Sequence, residues 1–192
     1  IGTPAQQIQV NAGATAPEYF TPAGAAGGSL EFIEEIGLGA DASSWTMTLA
    51  SGHVMADYES LIAQIMVRCD TTNTMTYRVN GISASSYITN YMQTQGGTVT
   101  GYYAANQSSA QLTSNFVGTA SAFINIEVFE NSAQSARDFT KFEMGGNSDN
   151  YITGQFFTET DYSTLTSMAL SVNAGIMYAA GARARFYRVK KT

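Results

Sequence analysis

Phe123-Ile124-Asn125-Ile126-Glu127-Val128-Phe129 alternates apolar and polar side chains through its middle as a β-strand does. It belongs to a series of strand signals at short spacing: Leu112 to Val117 before it, then Phe139 to Met144, Tyr151 to Phe157 and Met168 to Val172. Turns such as Gly145-Gly146-Asn147 separate them, and no amphipathic helical stretch intervenes. Many short strands without crossover helices predict an all-β, jelly-roll-type β-sandwich rather than a parallel βαβ sheet. The last piece, Gly175 to Val189, reads as two strands joined through Gly181.

Towards the N-terminus the same pattern continues. Trp45, Met47 and Leu49 alternate with Thr46 and Thr48, which predicts a strand with the only Trp in the core. Tyr58 to Cys69 is the most apolar window. Leu61, Ile62, Ile65 and Met66 would also suit a helix, but the β-branched content and the turn Asp70-Thr71-Thr72-Asn73 favour a long central strand. Met75, Tyr77 and Val79 alternate next and end at Asn80-Gly81, the strongest short hairpin or turn signal in the chain. The middle, Ser83 to Ser114, is rich in Gly, Tyr, Asn and Gln and reads as long loops with a short helix. At the start, Ile8 and Val10 alternate with Gln7 and Gln9 as in one half-buried strand, followed by a small-residue turn closing on Pro17 and an aromatic. Thr21 to Ser29 has almost nothing to bury and reads as a connector, so residues 1–28 form an extended N-terminal arm and residues 29–192 the sandwich domain.

Composition narrows the function classes. Charged residues make up only 12% of the 192, about half the ~25% of a typical soluble domain. A neutral, hydroxyl-rich surface suits β-structure and close subunit contacts. The net charge of −6 disfavours nucleic acid, which needs a basic face. Arg183, Arg185, Arg188, Lys190 and Lys191 read as solvent-facing positions on a last strand. Ile1 to Val10 lacks the features of a signal peptide, and no apolar run approaches the ~18 residues of a membrane span. The chain begins at Ile1 without an initiator Met, which leaves processing or a longer parent chain open. The lone Cys69 rules out an internal disulfide and reads as a buried thiol.

Two resemblances add to this reading. The order Gly2, Thr3, Gln7, Ile8, Val10, Asn11, Gly13, Ala14, Ala16, Pro17, Tyr19 resembles the GTxxQxLxxNxGAxAPxW element of bacteriophage tail-fibre and virion-appendage proteins, with Tyr19 where Trp is more usual. The C-terminal stretch into Phe186-Tyr187-Arg188 is similar to the sGxxxLYGIK close of jelly-roll domains in phage and bacterial virion proteins, without its Gly. Tyr58 to Arg68 and Tyr77 sit where that family has its long strand and a following Tyr. The resemblance implies a virion location on tail or head, Gln7, Ile8, Val10, Asn11, Pro17 and Tyr19 as an assembly arm, and a homotrimer that meets other virion proteins.

Candidate chemistry is sparse. His53 is the only histidine; with Asp57 it lacks the rest of a triad and reads as a loop residue or subunit contact. Asp57 with Glu59, and Glu159 with Asp161, have the i, i+2 spacing that puts carboxylates on one strand face, as a glycosidase pair would need, and also the spacing of solvent-facing positions. Asp70-Thr71-Thr72-Asn73 and Asn147-Ser148-Asp149-Asn150 are oxygen-rich turns whose Asn and Asp side chains explain them without Ca²⁺. Tyr87, Tyr91, Tyr102, Tyr103 and Asn106 form the candidate binding surface, for host-surface glycan by stacking or for a neighbouring subunit. With so little chemistry on offer, the resemblance implies a non-enzymatic virion structural protein, a tail-fibre or appendage subunit without cofactor or metal. The rivals are a capsid decoration (cement) protein and a carbohydrate-binding module, with a fibre-borne glycan depolymerase as the enzymatic alternative.

Overall fold

A computed structural model describes residues 7–10, 17–20, 30–70, 73–116, 121–129, 138–146, 151–159 and 163–190. Near the start, β1 (Gln7–Val10) pairs antiparallel with β2 (Pro17–Phe20), setting Ile8 opposite Tyr19. The opening element is thus a pair of strands where its sequence reads as one. Asn11 and the connector at 21–29 lie outside the described residues.

The rest is antiparallel β-structure in two sheets. The wide sheet has the order β3 (Leu30–Gly37), β14 (Met177–Lys190), β5 (Tyr58–Cys69), β10 (Ser121–Phe129), β11 (Asp138–Gly145), β12 (Tyr151–Thr158), β7 (Tyr87–Gln95), β8 (Thr98–Gln107). The narrow sheet has the order β4 (Ser44–Val54), β13 (Thr164–Val172), β6 (Asn73–Val79), β9 (Ala110–Phe116). Two hairpins, β7–β8 and β11–β12, stand apart from a simpler frame. Without them, the remaining strands in chain order place the first, last, third and sixth side by side in one sheet, and the second, seventh, fourth and fifth in the other. That is the strand order of a jelly roll. The two hairpins extend one edge of the wide sheet beyond β10.

The core lies between the sheets and follows the period-two pattern of its strands. Trp45, Met47 and Leu49 on β4, and Met75, Tyr77 and Val79 on β6, face Leu61, Ala63, Ile65 and Val67 of β5 and Ile124, Ile126 and Val128 of β10, all buried. Tyr58–Cys69 is an interior strand of the wide sheet as its composition predicts, and Cys69 is fully buried. Burial pushes its thiol up to about 11, with the nearby Asp70 carboxylate adding to the effect. The Asn80-Gly81 signal makes a turn with left-handed φ at both residues, 49° and 66°, and an Ile82 N–H bond to the Val79 carbonyl. It joins strands of different sheets, so it is a turn without a hairpin. The Asn80 side chain ties it to β13, accepting from the Thr166 and Ser167 N–H groups and donating to the Thr164 carbonyl.

Two sequence readings are corrected. The stretch around Ser83–Ser114 is not loops and a helix but three strands, β7, β8 and most of β9. The missed signal is Gly96-Gly97, whose φ values of 54° and 80° allow a two-residue hairpin turn that a side chain would resist. The end of the chain is one strand, not two. Between Tyr178 and Arg183 the register against β5 shifts, and Gly181 at φ 81° absorbs the bulge.

Gly154 of β12 shows how tightly the core is filled under the inserted hairpins. It lies in register between Tyr91 and Phe142, whose rings meet edge-on 6.3 Å apart. A Cβ at this position would run into the Tyr91 Cβ and come within 2.7 Å of the Asn90 carbonyl and 2.8 Å of the Phe142 ring. Gly154→Ala is therefore expected to lower stability by about 1–3 kcal/mol through overpacking. Gly145→Ala, where a Cβ meets nothing within 4 Å, serves as the control in the same urea titration and should cost far less.

Candidate functional site

The outer surfaces of the two sheets differ in chemistry. On the narrow sheet, registered pairs place Ser44 with Ser171 and Thr76, Thr46 with Ala169 and Arg78, and Thr48 with Ser167. None of these is a large apolar side chain, as expected of a solvated β face.

The wide sheet presents the opposite pattern. Because directly paired residues share a face, cross-strand rows can be followed from β3 to β8. One row runs Leu30, Val189, Ser60, Phe129, Phe139, Phe157, Ile88. Its three Phe rings meet at a tilt along the sheet, 5.4 and 5.3 Å between centroids. A second row begins Phe32, Tyr187, Ile62, becomes polar through Glu127, Lys141, Gln155 and Asn90, and ends at Tyr103. A third, more polar row runs from Glu35 and Arg185 through Asn125 and Glu143 to Met92. The fourth carries Arg183, Met66, Phe123, Gly145, Tyr151 and Val99. Eight of the nine exposed large hydrophobic side chains among the described residues lie on these rows, Val99 at 63% and Tyr103 at 69% exposure being the most open. Scattered single apolar residues on a surface need no explanation, but a continuous field of them marks a contact site.

Two hollows interrupt the face. One, of about 360 Å³, is lined by Asn90, Met92, Phe139, Lys141, Thr153 and Gln155 among others, and offers amide, amine and hydroxyl groups beside two apolar walls. The other, of about 310 Å³, lies between Met66, Phe123 and Gly145, where the missing Gly145 side chain leaves open space. The charges of the face are largely matched within the chain. Arg185 bonds Glu35 at 2.6 Å, holding that carboxyl below its usual range, and Lys141 lies 3.5 Å from Glu143.

The structure sorts the candidate tyrosines into different roles. Tyr87 and Tyr91 are buried and cannot touch a glycan or a neighbouring subunit through their rings, which corrects the sequence reading. Tyr87 Oη accepts from the Val79 N–H at 3.0 Å and donates to the Ile82 carbonyl at 3.2 Å, so this residue holds the turn after β6. Tyr91 stacks on the half-buried Tyr102 at 4.7 Å, and both hydroxyls meet the Gln111 side chain on β9, closing the sandwich at its far edge. Of the four candidate tyrosines, Tyr103 projects from the wide face. Asn106 is exposed but sits in the bulge between β7 and β8 with φ 55°, a left-handed geometry that Asn tolerates. Phe123, Phe129, Phe139 and Phe157 escaped notice as site residues because strand sequence does not say which of its two faces is covered.

The remaining candidates are structural. Arg188 grips Glu31 with two bonds of 2.7 and 3.0 Å and donates to Tyr58 Oη at 2.9 Å, while Lys190 reaches the same carboxylate at 2.9 Å. These bonds hold Glu31 down to about 2. Arg185, Arg188 and Lys190 thus brace β3, the first strand of the sandwich. Asp57 lies in a one-turn helix, Met55–Asp57, so it does not continue the strand that carries Glu59. Asp161 and the turn 147–150 lie outside the described residues, as do Thr71 and Thr72; Asp70 accepts from the Ile176 N–H at 2.8 Å. Among the described residues no group of three His, Cys, Asp or Glu could hold a metal ion, and no helix is long and apolar enough to cross a membrane.

No protein-family model matches the chain, and no curated protein matches it. Among solved structures, the marine PL-14 alginate lyase from Aplysia kurodai is similar at 11% identity, over 97% of this chain and 86% of that one, with a TM-score of 0.38. A likeness of that strength carries no argument about activity, and the jelly-roll assignment rests on the strand order itself.

His53 is not the loop residue expected but a buried side chain of β4, tilted against the Tyr58 ring 6.0 Å away, with no hydrogen-bond partner for Nε2 among the described residues. Burial, and then the positive Arg188, lower its pKa from the ordinary 6.5, with Glu34 opposing. The unfolded chain therefore takes up a proton near pH 6.5 that the folded chain refuses. Stability is expected to be full above that pH and to fall as pH drops through it, levelling off below the folded value. Because His53 is the only histidine, urea unfolding between about pH 7.5 and 5.5 isolates its contribution. His53→Leu should flatten that slope.

Proposed function

We propose that the chain is a non-enzymatic structural subunit of a phage particle, a tail-fibre or appendage component anchored through residues 1–28 and projecting its jelly roll for assembly and host-surface contact. The observation that carries this reading is the split between the two outer faces: one hydroxyl-rich, the other bearing eight exposed large apolar side chains on rows that flank a polar middle. An enzyme concentrates its chemistry in a cleft with converging titratable groups. This surface instead spreads modest contacts over a whole sheet, the form suited to packing and to multivalent attachment, where repeated weak contacts add to avidity. The resemblances at Gly2–Tyr19 and at the C-terminal strand supply the particle context.

A second reading, a carbohydrate-binding module, draws on the hollow lined by Asn90, Lys141, Thr153 and Gln155 with Tyr103 paired to Asn90. Amide groups beside an exposed ring suit sugar hydroxyls and sugar faces. The two readings part in one experiment. Antibodies raised against residues 30–190, applied with gold to purified particles, are expected to decorate the tail or an appendage. Decoration of the head lattice would favour a cement role. Unlabelled particles together with glycan-array binding by the isolated chain would replace the structural reading with the carbohydrate one.

A further inference from the structure

We propose that the outer face of the wide sheet is covered by a second copy of this chain. The inference rests on the reading of that face as a contact surface, and it names the occupant. Three observations favour self-association over another partner. The first is size. Eight strands about 4.8 Å apart, carrying four rows of side chains about 6.8 Å apart, span roughly 34 by 20 Å, a footprint of about 700 Å², close to the about 800 Å² per partner of a standard interface.

The second is charge. An identical partner brings the same charge, so a face that meets its own copy must be nearly neutral. The chain carries −6, yet on this face Glu35, Glu127 and Glu143 stand against Arg68, Arg183, Arg185 and Lys141, leaving a single positive charge over. A basic or strongly acidic partner would find no complementary field. The third is relief. The face carries projecting side chains, Phe32, Met92, Tyr103 and Tyr151, and also hollows at Gly145 and beside Gln155, so it holds both the knobs and the recesses that one copy must offer another. Packed sheets settle about 10 Å apart, which lets such side chains interdigitate.

The test uses the full chain and reads mass and accessibility together. Sedimentation at tens of micromolar is expected to give a dimer or higher oligomer, and Phe123→Asp combined with Tyr151→Asp to give single chains with unchanged circular dichroism. Cys69 is buried and inert, so an introduced thiol reports on its own surroundings. Met92→Cys on the wide face should react with a maleimide at least ten-fold more slowly in the assembled protein than after dilution to single chains, while Thr46→Cys on the narrow face should react equally in both. If the double Asp variant does not fold, the cysteine pair decides alone. Single chains at tens of micromolar, or Met92→Cys labelling as fast in the oligomer as after dilution, would overturn the proposal. Gold labelling of particles reads the appendage function separately, so either conclusion can fail while the other stands.

Discussion

The insertion of β14 between β3 and β5 is the pairing on which the sandwich depends. This last strand hydrogen-bonds on both sides, setting Val189 opposite Leu30 on one neighbour and Ser60 on the other. It joins the first and last strands of the described sandwich, so the wide sheet cannot close until β14 is in place between β3 and β5. Ala184 and Phe186 then drop into the core, while Arg185 and Arg188 bind the carboxylates of β3. Such a topology is dominated by non-local contacts, which makes its folding slow relative to helical domains of similar size. Exposed ion pairs add little by themselves. Here their value is geometric, since they fix an edge strand whose own outward residues, Leu30 and Phe32, are apolar.

With that frame closed, the two inserted hairpins change what the jelly roll offers. They carry the wide sheet from four strands to eight and bring Phe139, Phe157, Ile88 and Tyr103 into line with the rows of the basic fold. The added area needs its own support beneath. Tyr77 and Phe156 meet at 5.0 Å between the sheets, and the Tyr91–Tyr102–Gln111 contacts seal the far side. The inner tyrosines thus hold the added strands against β9, and the outward rings supply the surface.

Much of the frame was legible from sequence because its strands alternate strongly. Trp45, Met47 and Leu49, and Met75, Tyr77 and Val79, declare their buried face by period alone, and Tyr58–Cys69 declares an interior strand by its apolar density. The polar middle misled for a physical reason: Thr89, Gln93 and Asn90 are weak hydrophobic markers, so β7 and β8 looked like loops although Gly96-Gly97 announced the hairpin. The candidate surface was less legible still. Sequence alone does not separate the buried Tyr87 and Tyr91 from the exposed Tyr103, because a phenol suits both a core with a satisfied hydroxyl and a sugar-binding platform.

What the sequence determined by itself is local: which segments are extended, where Asn80-Gly81, Gly96-Gly97 and Gly181 permit left-handed backbone, and which alternating positions must avoid water. What only the tertiary structure decided is which strands become neighbours and which faces stay open. Side-chain alternation assigns residues to one of two faces but says nothing about whether a second sheet covers that face. Phe123 and Ile124 are adjacent and similarly apolar, yet Ile124 lies under the narrow sheet and Phe123 lies on the open side. That difference comes from packing across the sandwich, a long-range outcome that no local pattern encodes.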